Sequence, residues 1–401
     1  MGVSTAYYLA RRGFEVVLVE KGELASGGSF ANAGLVVPSF CSPMADRRVL
    51  LEGLGYLLDR EGPLRIKPRL DPGLGKWLWR FIRACRPAQY ERGVETLIRL
   101  NREGIGVHQE LAELGGAEYE YDRQGLLFVF TTPKAFEEDR KEALRLRAKG
   151  TELSILDREE VHDLEPCLGP GVCGGILYRA DASLQPAAFV HWLGDRFLAA
   201  GGRIMTETEV YDFRREGGRV RSVLTTKGEL EAGRLVIAAG AWQPGLTGLL
   251  GRRLPVEGAK GYSLTFDRPA RSIRRPMILG EGHIAVTPYA ESLRVTGILD
   301  LEGLDLSIRP RRLGTIIPQA GQYLPFLRGL APVQVWRGLR PCSPDGLPLV
   351  GRLGPWSNVF VAVGHDTKGI SLGPLTGLLL SKIMAGEEVG GLEKALSPQR
   401  F

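Results

Sequence analysis

The first residues that could do chemistry stand close to the start of the chain. Gly2 opens a stretch of good helix formers, Ser4–Arg12, which Gly13 closes, and Glu20 ends the β-branched run Phe14–Glu20 (FEVVLVE). A dinucleotide-binding unit needs a glycine where a helix N-terminus meets a pyrophosphate and an acid at the tip of the next strand for a ribose hydroxyl. Only the back half of that motif is present, because no strand and no GxG pair stands before Gly2. The same residues also suit a helix and a strand of any α/β protein.

Other chemistries are poorly served. The five cysteines (Cys41, Cys85, Cys167, Cys173 and Cys342) form no CxxC pair, and their odd number fits a reduced, intracellular protein better than a disulfide scaffold. Five scattered histidines give no metal-ligand spacing, so no metal is expected. A net charge of +6 from 52 basic and 46 acidic residues leaves no nucleic-acid footprint. The densest basic stretch, Arg80–Arg86, alternates with Trp79, Phe81 and Ile82. It reads first as a solvated helix face and second as a peripheral membrane contact. No apolar run approaches the ~20 residues of a membrane span, and Met1–Ala10 has no basic segment of a signal peptide. The expectation is a cytoplasmic protein, at most associated with the inner face of the cytoplasmic membrane.

The elements that must position any site follow from length and periodicity. A chain of 401 residues, 44% hydrophobic and 24% charged, predicts two domains. The stretch from about Leu50 to Gly150 is mixed. Helices are predicted over Gly93–Leu114, Glu137–Lys149, Pro186–Gly201 and about Gly369 to Ala385. Strands are predicted over Gly125–Thr131, Val210–Arg214, Val220–Thr226, Leu235–Ala239, Tyr262–Phe266, Ile284–Pro288, Leu293–Gly297 and Val359–Val363. Glu165–Gly175 reads as a loop, and no fixed-period repeat is present.

Four blocks carry a resemblance. They are Gly2–Gly34 (GVSTAYYLARRGFEVVLVEKGELASGGSFANAG), Leu235–Trp242 (LVIAAGAW), Trp336–Gly351 (WRGLRPCSPDGLPLVG) and Val359–Pro374 (VFVAVGHDTKGISLGP). In this order they resemble the D-amino acid oxidase superfamily of flavoproteins over nearly the whole chain, with the NAG and KGY segments nearest to bacterial D-amino acid dehydrogenases. The resemblance implies an α/β, Rossmann-like FAD-binding domain that lacks its first strand, and a second α+β substrate domain on an antiparallel sheet. The FAD domain would comprise residues 1–45, 140–250 and 336–401, and the substrate domain 46–139 and 251–335. It also places Met1 just before the third glycine of the motif, which makes Met1 an internal methionine of a longer protein. The rival reading is a flavin-free structural subunit.

The implied activity is oxidation of an amino acid at its Cα–N bond, with a quinone or oxygen as electron acceptor. Glycine, sarcosine or hydroxyproline oxidation fits the same scaffold. Arg340 is the expected carboxylate anchor, since a planar guanidinium grips a carboxylate with two parallel bonds; the alternative is a structural pair with Asp345. Tyr262 could share that carboxylate or pack in the core. Lys260 is either a charge near the flavin or a solvated lysine. The implied cofactor contacts are Gly2, Glu20, Ser26, Asn32, Ala33 and Gly34, then Val210 beside the adenine, then Ala239 and Gly240. Gly364, His365, Lys368, Gly369 and Ile370 would surround a helix N-terminus that supplies a positive pole. Sarcosine oxidases attach flavin through a cysteine close to the position of Gly338; here glycine stands there and Cys342 is displaced, so FAD is expected to be non-covalent.

Overall fold

This computed structural model describes residues 1–47, 49–50, 64–67 and 69–401; the rest of the expected 46–139 segment lies outside the described residues. Good helix formers give α1 (Gly2–Ala10), buried along Ser4–Ala10. The run FEVVLVE contracts to a short strand, β1 (Val17–Val19), followed by β2 (Leu35–Val36) and β3 (Leu64–Ile66). Two prolines in first turns, where no N–H is needed, start α2 (Pro72–Ala84) and α3 (Pro87–Gly115). Then come β4 (Leu126–Phe130), α4 (Pro133–Ala148), β5 (Leu153–Leu156), α5 (Arg158–Leu164), β6 (Gly174–Tyr178) and β7 (Ala182–Ser183). A capping box between Asp157 and Glu160 fixes the start of α5.

The chain continues through α6 (Pro186–Ala199), β8 (Arg203–Met205), β9 (Val210–Glu216), β10 (Arg219–Thr225), β11 (Gly228–Glu231) and β12 (Leu235–Ile237). After α7 (Gln243–Leu249) it forms β13 (Glu257–Asp267), β14 (Met277–Leu279), β15 (Ile284–Pro288) and β16 (Ser292–Leu301). It closes with β17 (Gln334–Cys342), β18 (Leu349–Arg352), β19 (Val359–Val363) and α8 (Gly369–Ala385). Three expected elements, Ile284–Pro288, Val359–Val363 and the helix over Gly369–Ala385, have the predicted bounds.

Two layers result. In one, β1 pairs parallel with β8, β12 pairs parallel with β19, and β18 lies antiparallel on the far side of β19. Helices α1, α3, α6 and α8 bury one core against these strands. Gly377 of α8 lets α1 approach closely: a Cβ there would stand 2.6 Å from the Ser4 carbonyl. Among the described residues, β1 and β12 are each paired on one side only. The β9–β10–β11 meander flanks this layer.

The other layer is a mainly antiparallel sheet in the order β17-β13-β16-β15-β14-β4-β6-β5, with β3 beside β16. A second core, from Leu127 through Leu264 and Val295 to Leu327, covers its outer face. This moves the expected domain boundaries. The segment 140–250 is not wholly part of the dinucleotide layer, because β6 pairs antiparallel with β4 and with β5 and so extends the large sheet. Likewise β17 belongs to that sheet through nine register pairs with β13, so the last crossover falls after Cys342 rather than at residue 336.

One buried acid ties the layers together and sets a pH dependence. Asp181, 1% exposed, accepts from the backbone N–H of Ser39 at 3.1 Å and meets the Ser39 hydroxyl. Burial pushes its pKa up to about 8, with the Ser39 bonds opposing. The folded state therefore holds a proton that the unfolded chain releases near the ordinary carboxylate value. Stability falls as pH rises from about 4 to about 8. Asp181→Asn is expected to flatten that slope and to stabilise the protein at pH 8, as read from urea midpoints between pH 5 and 8.

Candidate active site

A cavity of about 1410 Å³ runs between the two layers. That is more than the roughly 300–1,000 Å³ of a small-ligand pocket. Its wall contains Gly2 at the start of α1, Glu20 after β1, Ser26, Asn32, Ala33 and Gly34, Val210 at the start of β9, Ala239 and Gly240 after β12, and His365, Gly369 and Ile370 before and in α8. Twelve expected cofactor residues, scattered over 369 positions, thus meet on one surface. Gly364 and Lys368 do not line it. Gly364 makes the left-handed turn behind the wall (φ +80°), and Lys368 is 4% exposed and attracts Asp366.

The Asn32-Ala33-Gly34 turn is held from the large sheet. Arg294 Nη1 donates to the Asn32 carbonyl at 3.1 Å, and Thr287 Oγ1 donates to that of Ala33 at 2.7 Å. The Asn32 side-chain oxygen accepts from the Gly34 N–H at 2.8 Å. Gly34 sits at φ +68°, where a Cβ would fall 2.1 Å from the Leu184 carbonyl oxygen. At the far end, the first amides of α8 have no side-chain cap, and the positive end of a 17-residue helix reaches the wall at Gly369 and Ile370. His108 of α3 braces this end, its Nε2 lying 3.1 Å from the carbonyls of Ile370 and Ser371. No periodicity or motif marks His108 in the sequence, because the contact spans 262 residues.

His365 is neutral at physiological pH. Burial, and then the charge of Lys368, pull its pKa down to about 3, and its Nε2 is 2.9 Å from Thr376 Oγ1. Its Nδ1 is buried without a partner. Beside it Asp366, at φ +50°, is raised to about 7 by burial, with Lys368 opposing. One of its oxygens accepts from the Ser343 N–H at 3.0 Å and the other is buried and unpaired. Asp366 carries no sequence signal of its own; its left-handed backbone marks a constrained turn only in the structure.

The substrate side is a face of the large sheet. Register places Ile278, Ala285, Thr296, Ser263 and Trp336 in one cross-strand row, and all but Ser263 line the cavity, as does Phe40. The next row is Gly261 opposite Gly338, a floor without side chains. Arg340 lies across it: a Cβ on Gly261 would stand 2.1 Å from Arg340 Nη1. Nη1 donates to the Ile298 carbonyl at 3.0 Å, and burial lowers the pKa of the guanidinium. The alternative pair with Asp345 is not formed. Asp345 is held by Arg400, at 2.7 and 2.9 Å, and among the described residues Arg340 makes no ion pair.

Two expected residues lie elsewhere. Strand alternation turns Gly261 to the cavity and Lys260 and Tyr262 away from it. Tyr262 is fully buried, and its hydroxyl accepts from the Arg309 N–H at 3.3 Å. Lys260 is neither solvated nor near the cofactor surface. Its Nζ lies 2.9 Å from Glu302, both side chains being fully buried, and donates to the Ser307 carbonyl at 2.9 Å. Cys342 also stays off the wall, in the cluster around Trp77 and Leu301. Among the described residues no group of three or more potential ligands could hold a metal ion, and no helix is long and apolar enough to cross a membrane.

The residues present fit FAD. Gly2, Glu20 and the Asn32-Ala33-Gly34 turn line one cavity with His365, whose buried Nδ1 has no hydrogen-bond partner among the described residues. The comparisons agree. A family model described as FAD dependent oxidoreductase (DAO) matches residues 1–383. A D-amino acid dehydrogenase of Cereibacter sphaeroides is 32% identical over all of this chain and 94% of that protein. One of Vibrio vulnificus is 30% identical over 97% of this chain and 94% of that protein. Among solved structures, glycine oxidase from Geobacillus kaustophilus matches with a TM-score of 0.80 at 23% identity, covering 100% of this chain and 96% of that one. L-proline dehydrogenase from P. horikoshii matches at 0.76 and 20%, covering 100% and 94%. Cavity, floor and family model converge: the chain belongs to the DAO family of FAD-dependent oxidoreductases.

Proposed function

We propose that the protein oxidises a D-amino acid with an apolar side chain to the imino acid, passing electrons to a quinone-type carrier. What carries the reading is Arg340, a buried guanidinium that makes no ion pair among the described residues, laid over a glycine floor on the cavity wall. It fixes the substrate carboxylate by two parallel bonds. Phe40, Ile278, Ala285 and Trp336 then meet the side chain and keep water out. What FAD supplies when bound is a hydride acceptor at N5: the substrate gives up its Cα hydrogen with the electron pair, and water hydrolyses the imino acid to a 2-oxo acid and ammonia.

Gly2 and Glu20 would hold the pyrophosphate and ribose, and Val210 the adenine. Ser26, Asn32, Ala33, Gly34, Ala239 and Gly240 would hold the flavin side non-covalently. The first amides of α8 would stabilise negative charge there. His365, with its low pKa and its bond to Thr376, is not the group that takes a proton from the amine. A non-oxygen acceptor is favoured because Lys260, the candidate charge for oxygen chemistry, is locked to Glu302 on the other face of β13. The test is a panel of D- and L-amino acids, glycine and sarcosine, each with a redox dye and with oxygen. Turnover with the dye on apolar D-amino acids is expected; turnover confined to L-amino acids, or to oxygen, would overturn the reading.

Contact with a membrane surface fits the same proposal. Helix α2 carries no acid; it exposes Trp79 and Ile82 (57% and 53%) beside Lys76 and Arg83. Arg83 lies 4.6 Å over the Trp79 ring. An apolar stripe rimmed by cations suits an anionic headgroup layer. Co-sedimentation with phosphatidylglycerol vesicles, but not with phosphatidylcholine, is expected, and the Trp79→Ser/Ile82→Ser double variant should stay in the supernatant.

A further inference from the structure

The grip on Arg340 depends on a local irregularity of β16. Lys260 pairs with Asp300 and Tyr262 with Gly297, so one residue of β13, Gly261, faces two of β16, Ile298 and Leu299. This is a β-bulge. Its first residue, Ile298, has φ +69°, a left-handed conformation normally taken by glycine and a clear outlier for a β-branched side chain. A strained backbone persists only where its surroundings over-determine it. Here the Ile298 side chain is 8% exposed and packed in the apolar core of the large sheet, and the unusual turn aims its carbonyl at Arg340 Nη1, 3.0 Å away.

Gly261 completes the arrangement. Its missing side chain leaves the space in which the guanidinium lies flat, since a Cβ would come within 2.1 Å of Nη1 and 2.6 Å of both Cζ and Nη2. One N–H of the fork is fixed on the sheet, and the plane of the group is set by the floor. The remaining N–H groups are directed by that plane rather than free to swing, as a bidentate contact requires.

We propose that Ile298 and Gly261 are positioning residues that aim Arg340, with the bulge carbonyl holding the guanidinium and the bare glycine face setting its plane. The inference rests on Arg340 being the carboxylate anchor of the proposed reaction. Three variants separate the two ideas: Gly261→Ala, which tilts the group off the floor; Ile298→Pro, which forbids the positive φ; and Arg340→Met. Binding of propionate, a carboxylate without an amine, is measured by calorimetry on the flavin-loaded protein, and KM and kcat are measured with D-alanine. Gly261→Ala and Ile298→Pro should weaken propionate and raise KM about tenfold, the size of one charge-assisted hydrogen bond, with little change in kcat. If both bind propionate as the parent does while Arg340→Met does not, the positioning role falls and the anchor stands. If Arg340→Met also binds as the parent does, the anchor itself falls. Should Ile298→Pro not fold, Gly261→Ala decides alone.

Discussion

Arg340→Met is expected to raise the KM for a D-amino acid on the order of 100-fold or more, because truncating one partner of a buried charge pair costs about 2–5 kcal/mol. The loss should appear mainly in KM, since the carboxylate is held in both the ground and transition states. Arg340→Lys should fall between: a single ammonium keeps charge but cannot reach the Ile298 carbonyl and a substrate carboxylate in the same plane. Steady-state kinetics with D-alanine, with propionate as competitor, read both. An unchanged KM in the methionine variant would remove Arg340 from substrate binding.

Gly34→Ala should be severely damaging for a single added methyl group. The added Cβ would sit 2.1 Å from the Leu184 carbonyl oxygen and 2.3 Å from the Tyr289 hydroxyl, at φ +68°. A non-glycine residue in that region costs about 1–3 kcal/mol, and overpacking typically adds about 1–3 kcal/mol. A loss of roughly 2–6 kcal/mol in urea unfolding is expected, together with a low flavin-to-protein ratio after purification, because the same turn forms the cavity wall. Wild-type midpoints and flavin content in the variant would contradict the close packing described.

The sequence carried the parts of this molecule that rest on short-range patterns. The VFVAV strand and the helix ending at Gly386 were legible because an unbroken apolar run rich in valine and a positive-φ glycine stop leave little choice. The FEVVLVE run was overread: its apolar residues extend beyond the three that pair with β8. Of the two readings of Tyr262, core packing is the one its burial matches, since Gly261 lines the cavity and alternation turns its neighbour away. The same alternation could have found Trp336, two residues before Gly338 and four before Arg340. Ile278 and Thr296 could not be found this way, because register across several strands brings them together. The pair of β5 and β6 was assigned to the wrong layer for the same reason: its partner β4 lies beyond the 16-residue helix α4.

The ion pair behind the floor has a consequence for how β13 finds its place. Lys260 and Glu302 are both fully desolvated, and such a pair adds little net stability over well-packed apolar residues. A slip of β13 by one residue would pull the lysine from Glu302 into the cavity and drive the Tyr262 ring into the space where Arg340 lies. Each is a penalty of several kcal/mol that the native pairing avoids. The charge cluster therefore acts as a molecular key for strand alignment, and a Lys260→Met/Glu302→Leu protein would remain compact while its sheet sampled misaligned neighbours.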